Sequence, residues 1–256
     1  MAEATHREIL LVPHLFRASN IHSAARAAEM LQDAGITVRL LEQEQMEAIE
    51  TNPVLCGLTR AVADDDAAAG CELVLVLGGD GTFLRAASYA HAQNIPVLGI
   101  NLGHVGFLAE GEASSLEKVV GQVIDRSYRV VDRMTLDVAV IGDGGEVLGR
   151  SWALNECSIE NSDRSRVLDA TLEVDFRPVS SFGCDGVLIS TPTGSTAYAF
   201  SAGGPIMWPQ LEAILVVPNN AHALFAKPLV VAPTSTVAVE SERQTTQATA
   251  VMDGQR

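Results

Sequence analysis

Asp80 lies in the run LVLGGDGTFLRAA at residues 75–87, enclosed by Gly78, Gly79 and Gly81. Glycines admit positive φ and let a backbone approach a ligand closely. The alanine-rich helical pattern that follows would open with amides available to an anion. The loop is therefore a candidate phosphate site. A carboxylate inside it repels an isolated phosphate, yet it can accept a proton from an attacking hydroxyl and orient that oxygen, which is the chemistry of phosphoryl transfer. Asp between glycines is also a common turn residue and helix N-cap, and the loop by itself leaves both roles open.

A second run, FGCDGVLISTPTGSTAYAFSAGGPI at residues 182–206, passes from a strand pattern into a Thr/Pro/Gly/Ser loop and then into a helix near residues 195–201. Thr191, Thr193, Ser195 and Thr196 offer short hydroxyls, and Tyr198 offers a ring that can stack on a base and a hydroxyl that can bond to it. An ST-turn with Tyr198 as a core aromatic satisfies the same spacing. Asn155 and Glu156 come where the strand pattern of WAL ends; taken alone, they read as polar loop residues.

These residues need elements to hold them. Residues 8–12 and 36–41 read as strands, separated by a helix with Ala24, Ala27, Ala28 and Leu31 on one face and Gly35 as its stop. Residues 73–77 form an unbroken apolar run, the pattern of a strand covered on both faces of a parallel sheet. A helix over 83–92, a strand over 95–100, and a helix opened by a Ser114/Glu117 capping box follow. The segments EQEQMEAIE and DDDAAAG read as solvated connections. From about Tyr128 the period shortens to two, with TLDVAVIG, a GDGG turn, EVLGRSWALNE, ATLEVDF, DGVLIST and STVAVES reading as hairpins and strands. The expected fold class is an α/β N-terminal domain with an open parallel sheet, residues 1–127, followed by a mostly β C-terminal domain, residues 128–256.

Composition narrows the partners. With 47% hydrophobic residues the chain can fill a real core, and a net charge of −15 argues against a nucleic-acid or anionic-membrane surface. A small-molecule partner is expected. Cys56, Cys71, Cys157 and Cys184 are scattered, without a C-x-x-C pair, which suggests neither a disulfide framework nor a zinc site and fits a reducing cytoplasm. The N-terminus lacks the pattern of a signal peptide, and no apolar tract reaches membrane-spanning length. The lysines, Lys118 and Lys227, lie away from both loops, so a Walker A loop is excluded; no G-x-G-x-x-G follows a strand.

Taken together, GGDGTFLRAA, NLGHVGFLAE, LNE, the 182–206 run and NNAHALFAKPLV resemble, in this order, the NAD kinase family. GGDGT alone is shared with diacylglycerol, sphingosine and phosphofructokinase-type kinases; TPTGSTAY is the specific segment. The resemblance covers nearly the whole chain and implies the NAD kinase/diacylglycerol kinase-like fold. It further implies 2′-phosphorylation of the adenosine ribose of NAD to NADP, with ATP or inorganic polyphosphate as donor and Mg²⁺ or another divalent cation bridging the donor phosphates. By this resemblance Asp80 is the catalytic carboxylate, and Gly78, Gly79, Gly81, Thr82, Phe83 and Arg85 belong to the phosphate-facing loop and its helix. Asn155 and Glu156 match the family's pair that contacts NAD ribose and adenine, and Thr193, Ser195, Thr196, Ala197 and Tyr198 match its adenosine loop. Asp185 matches an acidic residue that reaches the NAD of a neighbouring subunit, implying at least a dimer and commonly a tetramer. His222 matches a motif histidine near the site, although a histidine flanked by alanines also reads as a packed one.

The sequence departs from the family in three places. It stops at AVMDGQR, where members continue, so the β domain is expected to lack strands and to expose sheet edges that favour self-association. His104 stands where a cationic residue is frequent, so a phosphate contact there would weaken as pH rises. Lys227 replaces a frequent arginine and loses its bidentate fork. Phe176 occupies an expected polar strand position, without a physical account from sequence. Two rivals remain at this level. A lipid or sugar kinase is disfavoured by TPTGSTAY and the acidic composition; a silent NADP(H)-binding regulator would bind dinucleotide without turnover.

Overall fold

Six parallel strands build the first unit: β1 (Glu8–Pro13), β2 (Thr37–Leu41), β3 (Thr59–Ala61), β4 (Leu73–Leu77), β5 (Val97–Asn101) and β6 (Gly111–Glu112). The computed structural model describes residues 6–15, 18–42, 49–101, 111–112, 116–163, 166–221, 227–241 and 248–254. His104, Ser114, His222 and most of the EQEQMEAIE segment lie outside these. The strand order is β3-β2-β1-β4-β5-β6 with every pairing parallel. This is the doubly wound order, whose direction reverses between β1 and β4. The nucleotide fingerprint usually carried by the first βα turn is absent, and the turn after β4 instead holds the glycine loop at the switch point.

Alternation along β1 and β4 explains why they read as unbroken apolar runs. Ile9, Leu11, Leu73, Leu75 and Leu77 face one core with helix α1 (Ala18–Asp33), the short helix α2 (Pro53–Cys56) and helix α4 (Leu116–Ile124). Leu10, Val12, Val74 and Val76 face a second core with Ala86 and Ala90 of helix α3 (Asp80–Gln93). The DDDAAAG segment is less solvated than its composition predicts: Ala67 and Ala68 are buried in that second core. Arg39 fixes it, accepted by the Glu8 carboxylate and by the carbonyls of Ala67 and Ala69.

The start of β4 is tied to the end of α4. Glu72 accepts two bonds from Arg7 at 2.7 and 2.8 Å, two from Arg126 at 2.9 and 3.4 Å and one from Tyr128 at 3.0 Å, while Arg7 also donates to the carbonyls of Val123 and Ile124. The Arg7 guanidinium, more than any other group, lowers the Glu72 carboxyl to about 2. A depressed carboxyl contributes stability that is present above its ordinary value near 4.5 and disappears as pH falls toward 2. Glu72→Gln is accordingly expected to cost on the order of 2 kcal/mol at pH 7 and little at pH 2, read by urea unfolding at the two pH values.

The chain divides into two compact units between Val131 and Asp132. The second unit holds a hairpin of β7 (Leu136–Ile141) and β8 (Val147–Ala153). It also has a five-stranded antiparallel sheet β14-β13-β12-β9-β16, composed of β9 (Glu156–Asn161), β12 (Gly186–Ser190), β13 (Ile214–Asn219), β14 (Leu229–Val231) and β16 (Ala248–Met252). Three further strands, β10 (Leu168–Val174), β11 (Arg177–Cys184) and β15 (Val237–Ser241), form a second antiparallel sheet. One core gathers Leu168, Ala170, Leu172, Phe182 and Cys184 with Val187, Ile189, Ile214 and Val216. Leu188, Leu215 and Val217 pack on the opposite side with Ala199 and Met207, so β12 is buried on both faces.

Phe176 is not a strand residue. It and Asp175 are the two central residues of the β10–β11 turn, with φ of 62° and 51°. Positive φ at both positions is what a two-residue hairpin turn requires, and it leaves the ring 84% exposed.

Candidate functional site

In the first unit the helix begins three residues earlier than its periodicity predicts. Gly79 is the N-cap, without a side-chain cap bond, and Asp80 is the first residue of α3. The amides of Thr82 and Phe83 close onto the Gly79 carbonyl, so Asp80 serves as a first-turn acid and the N-cap alternative falls away. The glycines do not act through positive φ, as the sequence suggested: none of the three has it. Their role is spatial. A Cβ on Gly78 would lie 2.8 Å from Thr82 Oγ1 and 3.1 Å from His14 Cβ, whereas Gly79 and Gly81 face open space. Thr82 is buried beneath the loop, and Gly79 and Gly81 are exposed above it. A ligand can thus approach backbone at two of the three positions. Phe83 packs against the core behind α3 rather than facing the loop, and Arg85 lies half-buried on the same helix.

In the second unit the loop after β12 is a short 3₁₀ helix, Thr193–Thr196, followed by α5 (Tyr198–Ser201), where the sequence suggested one helix. Its buried hydroxyls hold the protein together. Ser195 Oγ donates to Pro192 O at 2.7 Å and accepts from the Met207 amide at 2.8 Å. Thr191 Oγ1 donates to Leu154 O at 2.6 Å and accepts from the Gly194 amide. The Ser195 hydroxyl, wholly buried and bonded at both ends, is not presented to a ligand. Thr193, Thr196 and Ala197 are half-buried, and Tyr198 is exposed with its hydroxyl accepting from Asn219 Nδ2. The core-aromatic alternative for Tyr198 is thereby removed.

Asn155 and Glu156 are not surface loop residues. Both are buried, and Glu156 opens β9 rather than ending the preceding strand. The turn lies against the 3₁₀ loop so closely that a Cβ on Gly194 would overlap the Asn155 carbonyl. Gly194→Ala is expected to destabilise the second unit by about 1–3 kcal/mol, measurable as a lowered urea midpoint.

The backbone of this turn is satisfied on both sides. The Asn155 carbonyl accepts from the Thr191 amide and Ser190 Oγ, and the amides of Leu154, Asn155 and Glu156 all donate to the carboxylate of Asp253. Asp253, buried and at φ 52°, is the site residue that sequence reasoning passed over. The available signal was its place in the DGQ-like run.

The side chains, by contrast, are left with capacity. Asn155 Oδ1 and Glu156 Oε2 are buried atoms without a hydrogen-bond partner among the described residues. Burial first, and then the Asp253 charge, push the Glu156 carboxyl up to about 7, against one stabilising bond from the Tyr198 amide. Two buried acceptors beside a second carboxylate call for a ligand that brings donors, such as hydroxyl or amino groups, and repel phosphate oxygens. Asp185, between β11 and β12, is exposed and accepts from Asn220 Nδ2 at 2.8 Å. Lys227 is likewise exposed.

A doubly wound unit with an Asp-bearing glycine loop at its switch point, joined to a β unit with a donor-seeking buried turn, defines a nucleotide-handling protein of the phosphotransferase class. Residues 9–128 match the ATP-NAD kinase N-terminal domain and residues 154–256 the ATP-NAD kinase C-terminal domain. The chain belongs to the ATP-NAD kinase family. It is 69% identical over 256 residues to the NAD kinase of Corynebacterium efficiens, covering 100% of this chain and 80% of that protein. Among solved structures, yeast NADH kinase complexed with NADH superposes with a TM-score of 0.83 at 22% identity, covering 98% of this chain and 76% of the other. An NAD kinase from Archaeoglobus fulgidus in complex with ATP gives a TM-score of 0.73 at 25% identity, covering 98% and 85%.

Proposed function

We propose that this chain transfers a terminal phosphoryl group from ATP or inorganic polyphosphate to the 2′-hydroxyl of the adenosine ribose of NAD, giving NADP. The observation that carries the reading is the acceptor pair Asn155 Oδ1 and Glu156 Oε2, buried without a donor among the described residues. Ribose hydroxyls and the adenine amino group supply such donors, and the dinucleotide phosphates do not. Tyr198, exposed at the start of α5, offers its ring to the base.

Asp80 has the other part. As a carboxylate at the start of α3 it accepts the proton of the 2′-hydroxyl while the oxygen attacks the terminal phosphorus; the donor's anhydride P–O bond breaks and a ribose O–P bond forms. The open faces of Gly79 and Gly81 admit phosphate oxygens to backbone amides. Holding hydroxyl and donor in line supplies roughly 7–11 kcal/mol of barrier lowering.

A divalent cation such as Mg²⁺ would be held at this loop chiefly by the donor phosphates and water, with Asp80 left to the 2′-hydroxyl. When bound, it would neutralise charge on the donor phosphates. In the homo-oligomer that the family resemblance implies, at least a dimer and commonly a tetramer, the exposed Asp185 would reach a neighbouring copy's ligand. The free cysteines Cys56, Cys71, Cys157 and Cys184 suit a reducing compartment, the cytoplasm. Among the described residues no helix is long and apolar enough to cross a membrane.

The test is to incubate the purified chain with Mg²⁺, NAD and either ATP or polyphosphate, and to follow NADP through an NADP-specific dehydrogenase. NADP is expected. NAD binding without NADP formation would instead favour the silent regulator.

A further inference from the structure

The Asn155–Glu156 turn is held as an object. Its amides at Leu154, Asn155 and Glu156 lie 3.1, 2.7 and 3.3 Å from the two carboxylate oxygens of Asp253, and the Asp253 amide returns a bond to the Glu156 carbonyl at 2.9 Å. From the opposite side Thr191 binds the Leu154 carbonyl through Oγ1 and the Asn155 carbonyl through its amide. Three successive amides gathered on one carboxylate form a nest-like arrangement that fixes backbone direction. Every backbone group of the turn is thus engaged, while among the described residues Asn155 Oδ1 and Glu156 Oε2 have no hydrogen-bond partner.

We propose that Asp253 and Thr191 are positioning residues of the dinucleotide site, clamping the 154–156 turn so that the acceptors of Asn155 and Glu156 are pre-aimed at the ligand's hydroxyl and amino groups. This rests on the reading that the Asn155–Glu156 pair contacts NAD. Asp253 is chemically unusual as a clamp, because its charge lies beside the carboxylate it positions. The groups acting on the Glu156 carboxyl are the Asp253 charge, which opposes its ionisation, and the Tyr198 amide, which supports it. Asp253 therefore both aims Glu156 and opposes its ionisation, so that a donor-bearing ligand is needed to settle the charge.

The experiment compares Asp253→Asn, Thr191→Val, Asn155→Ala and Glu156→Gln with the parent chain in NAD titrations and in kinetics with NAD and ATP varied separately. Asp253→Asn is expected to raise the KM for NAD tenfold or more and to leave the KM for ATP within twofold. It should also move the inflection in NAD affinity to lower pH, because the Asp253 charge no longer opposes ionisation of Glu156; the split between the two KM values is the readout that general loosening of the fold does not produce. Thr191→Val should raise the KM for NAD three- to tenfold, and it carries the test if Asp253→Asn does not fold. An unchanged KM for NAD in the folded clamp variants, with Asn155→Ala and Glu156→Gln weakened, overturns the clamp alone. Unchanged NAD affinity in Asn155→Ala and Glu156→Gln overturns the underlying reading and the clamp with it.

Discussion

Asp80→Asn is expected to lower kcat by about 10²- to 10⁴-fold while leaving NAD affinity within a few-fold. The amide cannot take the ribose proton, and loss of general-base assistance has this magnitude. Gly79, not Asp80, caps α3, and the first-turn bonds run from Thr82 and Phe83 to the Gly79 carbonyl, so the helix starts without the carboxylate. The helix N-terminus loses one negative charge, about 0.3–1 kcal/mol at an accessible site. Single-turnover measurement of NADP formation, with NAD titrated calorimetrically alongside, separates the two effects. A kcat equal to the parent's would remove Asp80 from the chemistry. A proportionate loss of NAD affinity would make it a binding residue.

Glu156→Gln should make the ligand-free protein more stable at alkaline pH and bind NAD at least tenfold more weakly. The sign follows from burial. The fold raises this carboxyl to about 7, chiefly by desolvation and further by Asp253. A group raised in the folded state contributes stability that is complete below its ordinary value near 4.5 and is lost as pH climbs through 7. That loss amounts to about 3 kcal/mol at most. Glutamine keeps the shape without the ionisation, so urea unfolding should show parent and variant nearly equal at pH 4.5 and the variant ahead at pH 8. Affinity moves the other way, because the carboxylate accepts from ligand donors and a charged hydrogen bond is worth about 1.5–3 kcal/mol. A variant less stable than the parent at pH 8 would mean that the fold supports the charge after all.

The local features legible in the sequence hold in the fold because their causes are local. Residues 73–77 form β4 without correction, since an apolar run between turn signals admits few other structures. The Gly35 helix stop stands with its φ of 76°, and the GDGG turn joins β7 to β8. Helix α3 starts at Asp80, three residues before its apolar period becomes legible, because glycines carry no periodicity to read. Phe176 sits in a hairpin turn and not in a strand, and a turn closed by two non-glycine residues leaves no composition signal. The side chains of Asn155 and Glu156 looked like loop polarity, and Ser195 like a free hydroxyl, for a deeper reason: burial and hydrogen-bond saturation depend on what arrives from elsewhere in the chain.

The sequence by itself determined the α/β-then-β order, the two glycine-bearing loops and the chemistry an aspartate among glycines can perform, all properties of neighbouring residues. Only the tertiary structure decided which polar groups are committed and which are left for a ligand. Asp253 meets the Asn155 amide across 98 residues of chain, and Gly194 meets its carbonyl across β12. Contacts closed over such separations leave no period or turn signature behind, because the groups that satisfy one another are chosen by the packing of β9, β12 and β16 rather than by adjacency.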